Sequence, residues 1–185
     1  MLRKDIPMPS FEEDEFKTLC EFSHLSDTAK HGLERAVVLG YPPEKKISIA
    51  PGAIVNAVPF EQIGCGVRIG LYVYISGDVT IGDHVLIGPH CSIAAGNHKF
   101  DPATGWFSAR TEKDGDDSIV IGTGSWLASN VTVTGGVKIG KCCLICAGAV
   151  VTKSTEDYAI MAGIPAKKIG YINPETGEYV WETDK

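Results

Sequence analysis

The chain has 185 residues, a net charge of -6 at pH 7 and no apolar run near the roughly eighteen residues of a membrane-spanning helix. The length suits one domain with small appendages, and the start of the chain lacks the apolar centre of a signal peptide, so a cytoplasmic location is expected. The acidic balance disfavours nucleic acid as a partner, and membrane insertion is not predicted.

The N-terminal segment, residues 1–46, is predicted to be helical. Ser10 begins a capping-box pattern before a helix over 11–20, and Ser26 can cap a second helix that ends at Gly40. We expect this segment to pack on one end of the remaining fold and to cover it. The apolar side of the second helix consists of Ala29, Leu33, Ala36 and Val37.

An aliphatic residue then recurs at every sixth position, in two runs. The first run is Ile63, Ile69, Ile75, Ile81, Ile87 and Ile93, and the second is Ile121, Leu127, Val133, Ile139, Ile145 and Val151. A small residue directly follows each aliphatic residue, and a compact side chain lies four positions after the aliphatic residue in nearly every case. A period of six is a signature of a parallel β-helix. We therefore predict an all-β solenoid in which three hexapeptides make one turn of a triangular prism and the aliphatic residues fill its interior.

The breaks in this repeat predict the organisation of the chain. The repeat begins weakly near Ile49 and Val55, loses phase by two residues around Pro59, and stops between Ile93 and Ile121. The predicted parts are a helical segment (1–46), a solenoid (47–153) with an extended loop (94–118), and a closing segment with a C-terminal extension (154–185).

The extended loop concentrates unusual side chains. Long insertions inside compact repeats are uncommon and are usually functional. We expect this one to close over a groove or to reach a neighbouring subunit. Its distinctive residues are Asn97, His98, Phe100, Asp101, Trp106 and Arg110.

Three clustered cysteines, Cys142, Cys143 and Cys146, allow two interpretations. Closely spaced thiolates are typical metal ligands. Cys143 and Cys146, like Cys91 in the first run, also occupy repeat positions that small residues fill elsewhere, so we interpret them as small core residues in a reducing compartment. No metal is predicted.

After the solenoid, residues 173–177 read as a turn between two β-prone pieces, Tyr171-Ile172 and Tyr179–Trp181. This pattern predicts a hairpin folded back on the scaffold.

The repeats, the loop sequence Gly96-Asn97-His98 and the segments VVTK (150–153) and AGIPAKKI (162–169) resemble the hexapeptide-repeat acyltransferases. Among these, the chain looks most like the galactoside, maltose and nodulation O-acetyltransferase group, over about residues 60–170. The resemblance implies a left-handed parallel β-helix, a homotrimer with active sites between subunits, and acetyl-CoA as co-substrate. It implies acetyl transfer to a hydroxyl of a sugar or sugar-bearing acceptor.

The resemblance assigns His98 as the general base. A neutral imidazole can take the proton of a hydroxyl that attacks a thioester, so direct transfer without an acyl-enzyme is expected. Spacing adds independent support for a binding edge, since Ser129, Ala147 and Pro165 are eighteen apart and are predicted to stack. By resemblance, the Ser129 backbone N–H binds the oxyanion. The residues expected to line the cofactor path are Ala128, Ser129, Ala147, Thr152, Lys153 and Lys167.

Three departures from the group leave the acceptor open. Arg68 stands where the sugar acetyltransferases keep an asparagine, Gly170 replaces an arginine, and Lys99 replaces the proline after the histidine. The candidate acceptor-binding residues are Arg68, Asn97 and Trp106, although Trp106 can equally pack between subunits.

Three other functions compete with this interpretation. An N-acetyltransferase acting on an amino sugar would use the same base and groove. A metal-dependent hydratase of the γ-carbonic-anhydrase type would need His84, His90 and His98 to converge, but His84 and His90 are only six apart. A non-catalytic β-helix that serves as a scaffold or binding module is the third.

Overall fold

The computed structural model describes residues 29–107 and 116–182. Within these ranges the chain forms one α-helix, α1 (Ala29–Val38), and single 3-10 turns at Pro43–Lys45 and Phe60–Gln62. The helix predicted over 11–20, with its cap, and the Ser26 cap lie outside the described residues. The strands in chain order are β1 (Ser48–Ile49), β2 (Ile54–Asn56), β3 (Arg68–Ile69), β4 (Tyr74–Ser76), β5 (Val79–Ile81), β6 (Leu86–Ile87), β7 (Ser92–Ala94), β8 (Phe100–Asp101), β9 (Trp106–Phe107), β10 (Ile119–Ile121), β11 (Trp126–Leu127), β12 (Thr132–Val133), β13 (Lys138–Ile139), β14 (Leu144–Ile145), β15 (Val150–Val151), β16 (Ala159–Ala162), β17 (Lys167–Ile172) and β18 (Tyr179–Trp181).

Three sheets form the sides of a prism. Sheet A has the order β1-β3-β6-β11-β14-β16-β17-β18, sheet B has β2-β4-β7-β12-β15, and sheet C has β5-β10-β13. Within the prism the chain passes from sheet C to sheet A to sheet B, and we name the three corners by the sheets that they join. The predicted all-β solenoid is confirmed, and it makes about six turns.

The strand register shows where each turn gains residues. In sheet A, Arg68 pairs with Leu86, eighteen residues later, as the repeat predicts. The first turn is two residues longer, because Ser48 pairs with Arg68 and the 3-10 turn Phe60–Gln62 lies between them. Leu86 pairs with Trp126, forty residues later, which is twenty-two more than the usual step. Sheets B and C show the same step of forty, so the whole insertion leaves the prism at the B–C corner.

The interior is a single apolar column. All twelve aliphatic residues of the repeat are at most 3% exposed, as predicted. Ser125 is the polar member of the column, and its hydroxyl donates to Gly140 O (2.8 Å) and accepts from Cys143 N (3.0 Å), which satisfies the buried oxygen. The compact residues four positions after the aliphatic ones are at most 2% exposed: Val67, Val73, Val79, Val85, Cys91, Ser125, Val131, Val137, Cys143 and Ala149.

Helix α1 packs on the N-terminal end of sheet A through a different face from the expected one. Gly32 and Ala36 are buried, whereas Leu33 and Val37 are 39% and 48% exposed. A Cβ on Gly32 would lie 2.1 Å from the Ser48 hydroxyl, so the glycine lets the helix approach β1 closely. The exposed end of a sheet presents carbonyl groups, and the Arg35 Nε donates to Ile49 O (2.6 Å). Backbone satisfaction therefore outweighs apolar content in choosing the packing face.

The helix ends at Gly40, as predicted. Gly40 has φ +90°, its N–H donates to Val37 O, and the Tyr41 N–H donates to Ala36 O, both at 2.9 Å. This pair of bonds with a left-handed glycine is a Schellman motif, which satisfies carbonyls at the helix end.

The C-terminal end of sheet A is closed by antiparallel strands. β17 pairs with β16 on one side and with β18 on the other, and Tyr171 lies opposite Val180 in the predicted hairpin. Lys168 forms salt bridges with Glu156 and Glu182, which tie the hairpin to the last coil.

Candidate active site

The A–B corner is a ladder of two-residue turns. In each step the second residue of one turn donates its N–H to the first residue of the turn before. The four bonds are Tyr72 N to Pro51 O (3.2 Å), His90 N to Leu71 O, Asn130 N to Pro89 O and Gly148 N to Ser129 O (each 2.9 Å). Ser129 and Ala147 therefore hold the same position in adjacent coils, as their spacing predicts.

Pro165 does not continue this stack, contrary to the spacing argument. The last coil is shorter, because Leu144 pairs with Ile160, only sixteen residues later. The closing segment then crosses the corner, where Val150 N donates to Gly163 O (3.1 Å).

Two adjacent amide N–H groups point to chemistry at this corner. Among the described residues, neither the Ser129 N–H nor the Ala147 N–H has a hydrogen-bond acceptor. Of the equivalent positions in the other coils, Pro51 and Pro89 have no N–H at all, whereas the Leu71 N–H, like those of Ser129 and Ala147, has no acceptor among the described residues. Ser129 is half-buried and Ala147 is exposed, so a ligand can reach both. Preorganised N–H donors of this kind can stabilise an oxyanion.

The long loop is fixed at its base on the B–C corner. The Asn97 side-chain amide donates to Asp117 Oδ1 (2.9 Å), which joins the two ends of the loop. The Gly136 N–H donates to Asp117 O (3.0 Å). A Cβ on Gly135 would lie 3.1 Å from Gly96 N, so the absence of a side chain at Gly135 lets the base of the loop pack closely against the prism. His98 follows directly and its side chain is exposed.

A charged contact lies beside this base. The Asp116 carboxylate accepts hydrogen bonds from the Ser118 hydroxyl and from Ser118 N (3.1 Å), and it lies 3.2 Å from the Lys138 Nζ. The Ser118 hydrogen bonds, followed by the bond from Lys138, lower the pKa of Asp116 to about 2. The carboxylate is thus ionised at any working pH and anchors the returning end of the loop.

The middle of the loop is a hairpin rather than the structureless segment that the sequence suggests. β8 and β9 pair Phe100 with Phe107, whose rings meet edge to face at 5.7 Å. Asp101 stabilises the turn by accepting from Ala103 N (2.9 Å). Trp106 and Phe107 are each 66% exposed, so an apolar surface projects from the prism. Arg110 lies outside the described residues.

The predicted cofactor residues divide between two corners. Ala128, Ser129 and Ala147 lie at the A–B corner. Thr152 and Lys153 follow β15 and are exposed at the B–C corner, where Thr134 N donates to Val151 O (3.1 Å) in the neighbouring coil. The exposed Lys167 begins β17 opposite Ala162 in the closing segment.

One chain does not bring His98 and Ser129 together. Sheet B separates their corners, and Gly135, which contacts the base of the loop, lies six residues after Ser129. At about 3.3 Å per residue this is roughly 15–20 Å. A site that uses both residues needs a second chain.

The outer face of sheet A carries Arg68 and also Trp126, which the sequence did not single out. Arg68, Leu86 and Trp126 are ladder neighbours, and all three side chains point outward and are exposed. Trp126 is 47% exposed and lies three residues before Ser129. An outward repeat position admits any side chain, so the repeat itself carried no signal that distinguishes Trp126.

The cysteines are free thiols throughout the described ranges. Cys91 and Cys143 are core residues as predicted, and burial raises the pKa of both thiols. Cys146 is only half-buried, because its repeat position begins a corner rather than filling the column; partial burial still raises its pKa.

The histidines of the metal alternative lie apart. His84 is at the C–A corner, His90 at the A–B corner and His98 at the B–C corner. Within residues 29–107 and 116–182 no three potential ligands cluster around a metal position. The same part of the chain has no helix that is long and apolar enough to cross a membrane.

Comparison with known proteins agrees with the repeat. The family described as bacterial transferase hexapeptide (six repeats) matches residues 62–95 and 118–153. Galactoside O-acetyltransferase of Escherichia coli strain K12 is 28% identical over 149 residues, which cover 75% of this chain and 70% of that protein. Seven further curated acetyltransferases are matched over only 30% to 66% of their own length.

Solved structures share the architecture. A galactoside acetyltransferase in complex with coenzyme A matches with a TM-score of 0.53 and 26% identity, over 90% of this chain and 83% of that one. AntD, an N-acyltransferase from Bacillus cereus, was solved with dTDP-4-amino-4,6-dideoxyglucose and coenzyme A. It matches with a TM-score of 0.59 over 70% of this chain and 72% of that one, but at 18% identity, which supports the fold alone.

Proposed function

Since the chain belongs to the hexapeptide-repeat acyltransferases, we propose that it transfers an acetyl group from acetyl-CoA to a hydroxyl of a sugar or sugar-bearing acceptor. The observation that carries this proposal is the pair of available N–H groups at Ser129 and Ala147, whose chain neighbours Ala128 and Gly148 are small. Similarity to the galactoside O-acetyltransferase of Escherichia coli, over 70% of that protein, supports a carbohydrate acceptor.

The proposed reaction is a direct transfer. His98 takes the proton of the acceptor hydroxyl while that oxygen attacks the thioester carbonyl. The carbonyl oxygen becomes an oxyanion that accepts the Ser129 N–H. The tetrahedral intermediate then collapses, the carbon–sulfur bond breaks, and the thiolate of coenzyme A leaves with the proton from the imidazolium. The products are the acetyl ester and free coenzyme A.

We place this site between copies of the chain, in a homotrimer. His98 and Ser129 flank sheet B from opposite corners, so one copy can supply the base and the next the oxyanion donor. In the three C-terminal coils the outer face of sheet B carries Ser92, Thr132 and Val150, which permit close approach of neighbouring copies, whereas the larger Ile54 and Tyr74 occupy this row in the first two coils. The exposed aromatic residues of the β8–β9 hairpin are suited to cover a neighbour, and Trp106 serves there or against the acceptor.

Acetyl-CoA would lie along the A–B corner. Ala128, Ser129 and Ala147 would accommodate the pantetheine arm, and the exposed Lys167 in the closing segment would meet the phosphates. Thr152 and Lys153 would face the cofactor from the neighbouring copy's corner. On the acceptor side, Asn97, Arg68 and Trp126, which lies two coils from Arg68 on sheet A, are the proposed contacts. The five free thiols within the described ranges favour a reducing compartment, the cytoplasm.

A release assay tests the proposal. Purified protein is incubated with acetyl-CoA and a panel of sugars, amino sugars and nucleotide sugars, and free thiol is measured. We expect turnover with a hydroxyl acceptor. Turnover with amino sugars alone would replace the proposal with N-acetylation. In a parallel assay coenzyme A should raise the melting temperature, because a ligand that binds only the folded state stabilises it. If coenzyme A does not raise the melting temperature and no acceptor gives turnover, the enzymatic proposal is wrong and only a β-helix scaffold is left.

A further inference from the structure

Two aromatic side chains stack along the A–B corner on the N-terminal side of Ser129. The rings of Tyr72 and His90 are 5.3 Å apart between centroids and 18° from parallel. Both side chains are exposed, and Tyr72 remains 61% exposed in spite of the stacking. Neither residue contributes to the core or to the roles proposed above.

The backbone holds this pair in place. Tyr72 and His90 have φ values of +55° and +59°, which direct both side chains outward from the second position of their turns. A Cβ on Gly52 would lie 2.4 Å from the Tyr72 ring, so the ring rests directly over that glycine. The His90 N–H donates to Leu71 O (2.9 Å), which fixes the spacing of the two turns. The pair is a preformed surface.

The pair continues the proposed active-site edge in one direction. The turn of His90 is one coil from that of Ser129, because Asn130 N donates to Pro89 O. Tyr72 lies one coil further. With about 4.8 Å between neighbouring strands, the Tyr72 turn lies roughly 10 Å from the oxyanion position. The proposed path of coenzyme A runs from Ser129 the other way, towards Ala147, so the acceptor has the N-terminal side of the edge to itself.

We propose that Tyr72 and His90 form a second acceptor subsite that binds a ring attached to the acetylated sugar. The preferred acceptor is then a glycoside with two rings rather than a free monosaccharide. An aromatic ring offers a flat apolar surface to another ring, while the Tyr72 hydroxyl and the imidazole nitrogens offer hydrogen bonds. The His90 turn lies roughly 5 Å and the Tyr72 turn roughly 10 Å from the oxyanion position, so this surface extends past the first sugar ring. This inference rests on the proposed function.

Glycine variants test the subsite without straining the turns, because glycine adopts a positive φ freely. His90→Gly and Tyr72→Gly remove the rings, and His84→Gly is the matched control. His84 also has a positive φ (+57°) and an exposed side chain, but it lies at the C–A corner. Tyr72→Phe retains the ring and removes the hydroxyl. The probes are a methyl glycoside, a disaccharide and an aryl glycoside of the same acetylated sugar.

We expect the ratio of kcat/KM for two-ring over one-ring acceptors to fall roughly five- to tenfold in His90→Gly and Tyr72→Gly. His84→Gly should keep the wild-type ratio. A fall in kcat/KM with the disaccharide alone shows that the subsite binds a second sugar ring. A fall with the aryl glycoside alone shows that it binds an aromatic ring. An equal effect on one-ring and two-ring acceptors, with coenzyme A binding intact, overturns the subsite and leaves the proposed function standing. Absence of acetyl transfer in the wild type instead refutes the proposed function.

Discussion

At the scale of single residues, Ser129 occupies a turn position that the chain itself fills with proline in two other coils, at Pro51 and Pro89. Ser129→Pro therefore removes one N–H while retaining a turn that this fold accepts. We expect kcat to fall about 10²- to 10³-fold, since an oxyanion donor acts mainly in the transition state. Steady-state kinetics with a melting curve checks this outcome.

Leu71→Pro is the matched control for that variant. Leu71 holds the same turn position two coils before Ser129, where no oxyanion is proposed. With a one-ring acceptor, which does not reach the Tyr72–His90 subsite, its substitution should leave kcat within about twofold of the wild type, as for an ordinary surface change. A folded Ser129→Pro protein with wild-type kcat would show that this N–H has no part in the reaction.

His98 permits a second residue-level prediction. His98→Ala should lower kcat by about 10²- to 10⁴-fold, the usual contribution of a general base. Binding of coenzyme A, measured by thermal shift, should be unchanged, because the imidazole is proposed to act on the acceptor. Retention of most of the wild-type kcat by the folded variant would remove the assignment.

The repeat predicts residues well where they point inward and poorly where they point outward. Ile75 and Val133 are buried because a six-residue period fixes which side chains enter the prism. Trp126 was missed because outward positions tolerate any side chain, so one sequence carries no signal that separates a binding residue from a solvated one. Cys146 was assigned to the core because its neighbours in the repeat are small, although small residues there serve the corner.

At the scale of elements, the base of the long loop should respond to acid. The pKa of Asp116, about 2, lies below the ordinary value of 3.8 because of its hydrogen bonds with Ser118 and Lys138. The ionised carboxylate thus stabilises the folded loop base above pH 4, and this contribution is lost as the pH falls from about 4 to about 2. Ser118→Ala removes the largest cause and should raise the midpoint of the Asp116 titration, followed by carboxyl-carbon NMR.

Ser92→Ala is a suitable control for that titration, since Ser92 lies on sheet B away from Asp116. Its midpoint should equal that of the wild type. The same midpoint in Ser118→Ala as in the wild type would contradict the role given to the Ser118 hydroxyl.

Elements at the ends of the prism were harder to predict than those within it. Apolar content suggested that Leu33 and Val37 face the prism, but Gly32 and Arg35 do. The reason is that the end strand β1 presents unpaired backbone groups, which need hydrogen-bond partners from the helix. Such a requirement does not produce a periodic pattern in the helix sequence. The β8–β9 hairpin was missed for a related reason, since two-residue strands are too short to show alternation.

At the scale of the whole molecule, a site shared between copies predicts complementation. His98→Ala and Ser129→Pro chains are each expected to be inactive alone. After co-refolding in equal amounts, about a quarter of the interfaces should combine an intact His98 from one chain with an intact Ser129 from the other. Activity should recover to roughly that fraction of the wild type, because each intact pair forms a complete site independently of the others.

Light scattering should give the mass of three chains for the wild type and for the mixture. A trimer with no recovery would mean that the site does not combine residues of two copies. The homotrimer itself remains a prediction that comes from resemblance and from the two corners that flank sheet B.

The fold as a whole was predictable because one period governs most of it. The two-residue phase slip near Pro59 and the gap after Ile93 appear in the structure as steps of twenty and forty residues between Ser48, Arg68, Leu86 and Trp126. The candidate site was only partly predictable. The eighteen-residue spacing placed Ser129 and Ala147 on one edge. The separation of His98 from that edge was not predictable, because it depends on the corner at which the loop leaves the prism.

That release point has a consequence for how such an enzyme can diversify. All three sheets resume their pairing after the twenty-two-residue insertion as though nothing had intervened. The prism therefore sets no limit on the length of the segment inserted at this corner. A segment of another size or composition can replace it without a change in the strand pairing of the prism. New acceptor preferences can arise by replacement of this inserted segment, while the prism stays the same.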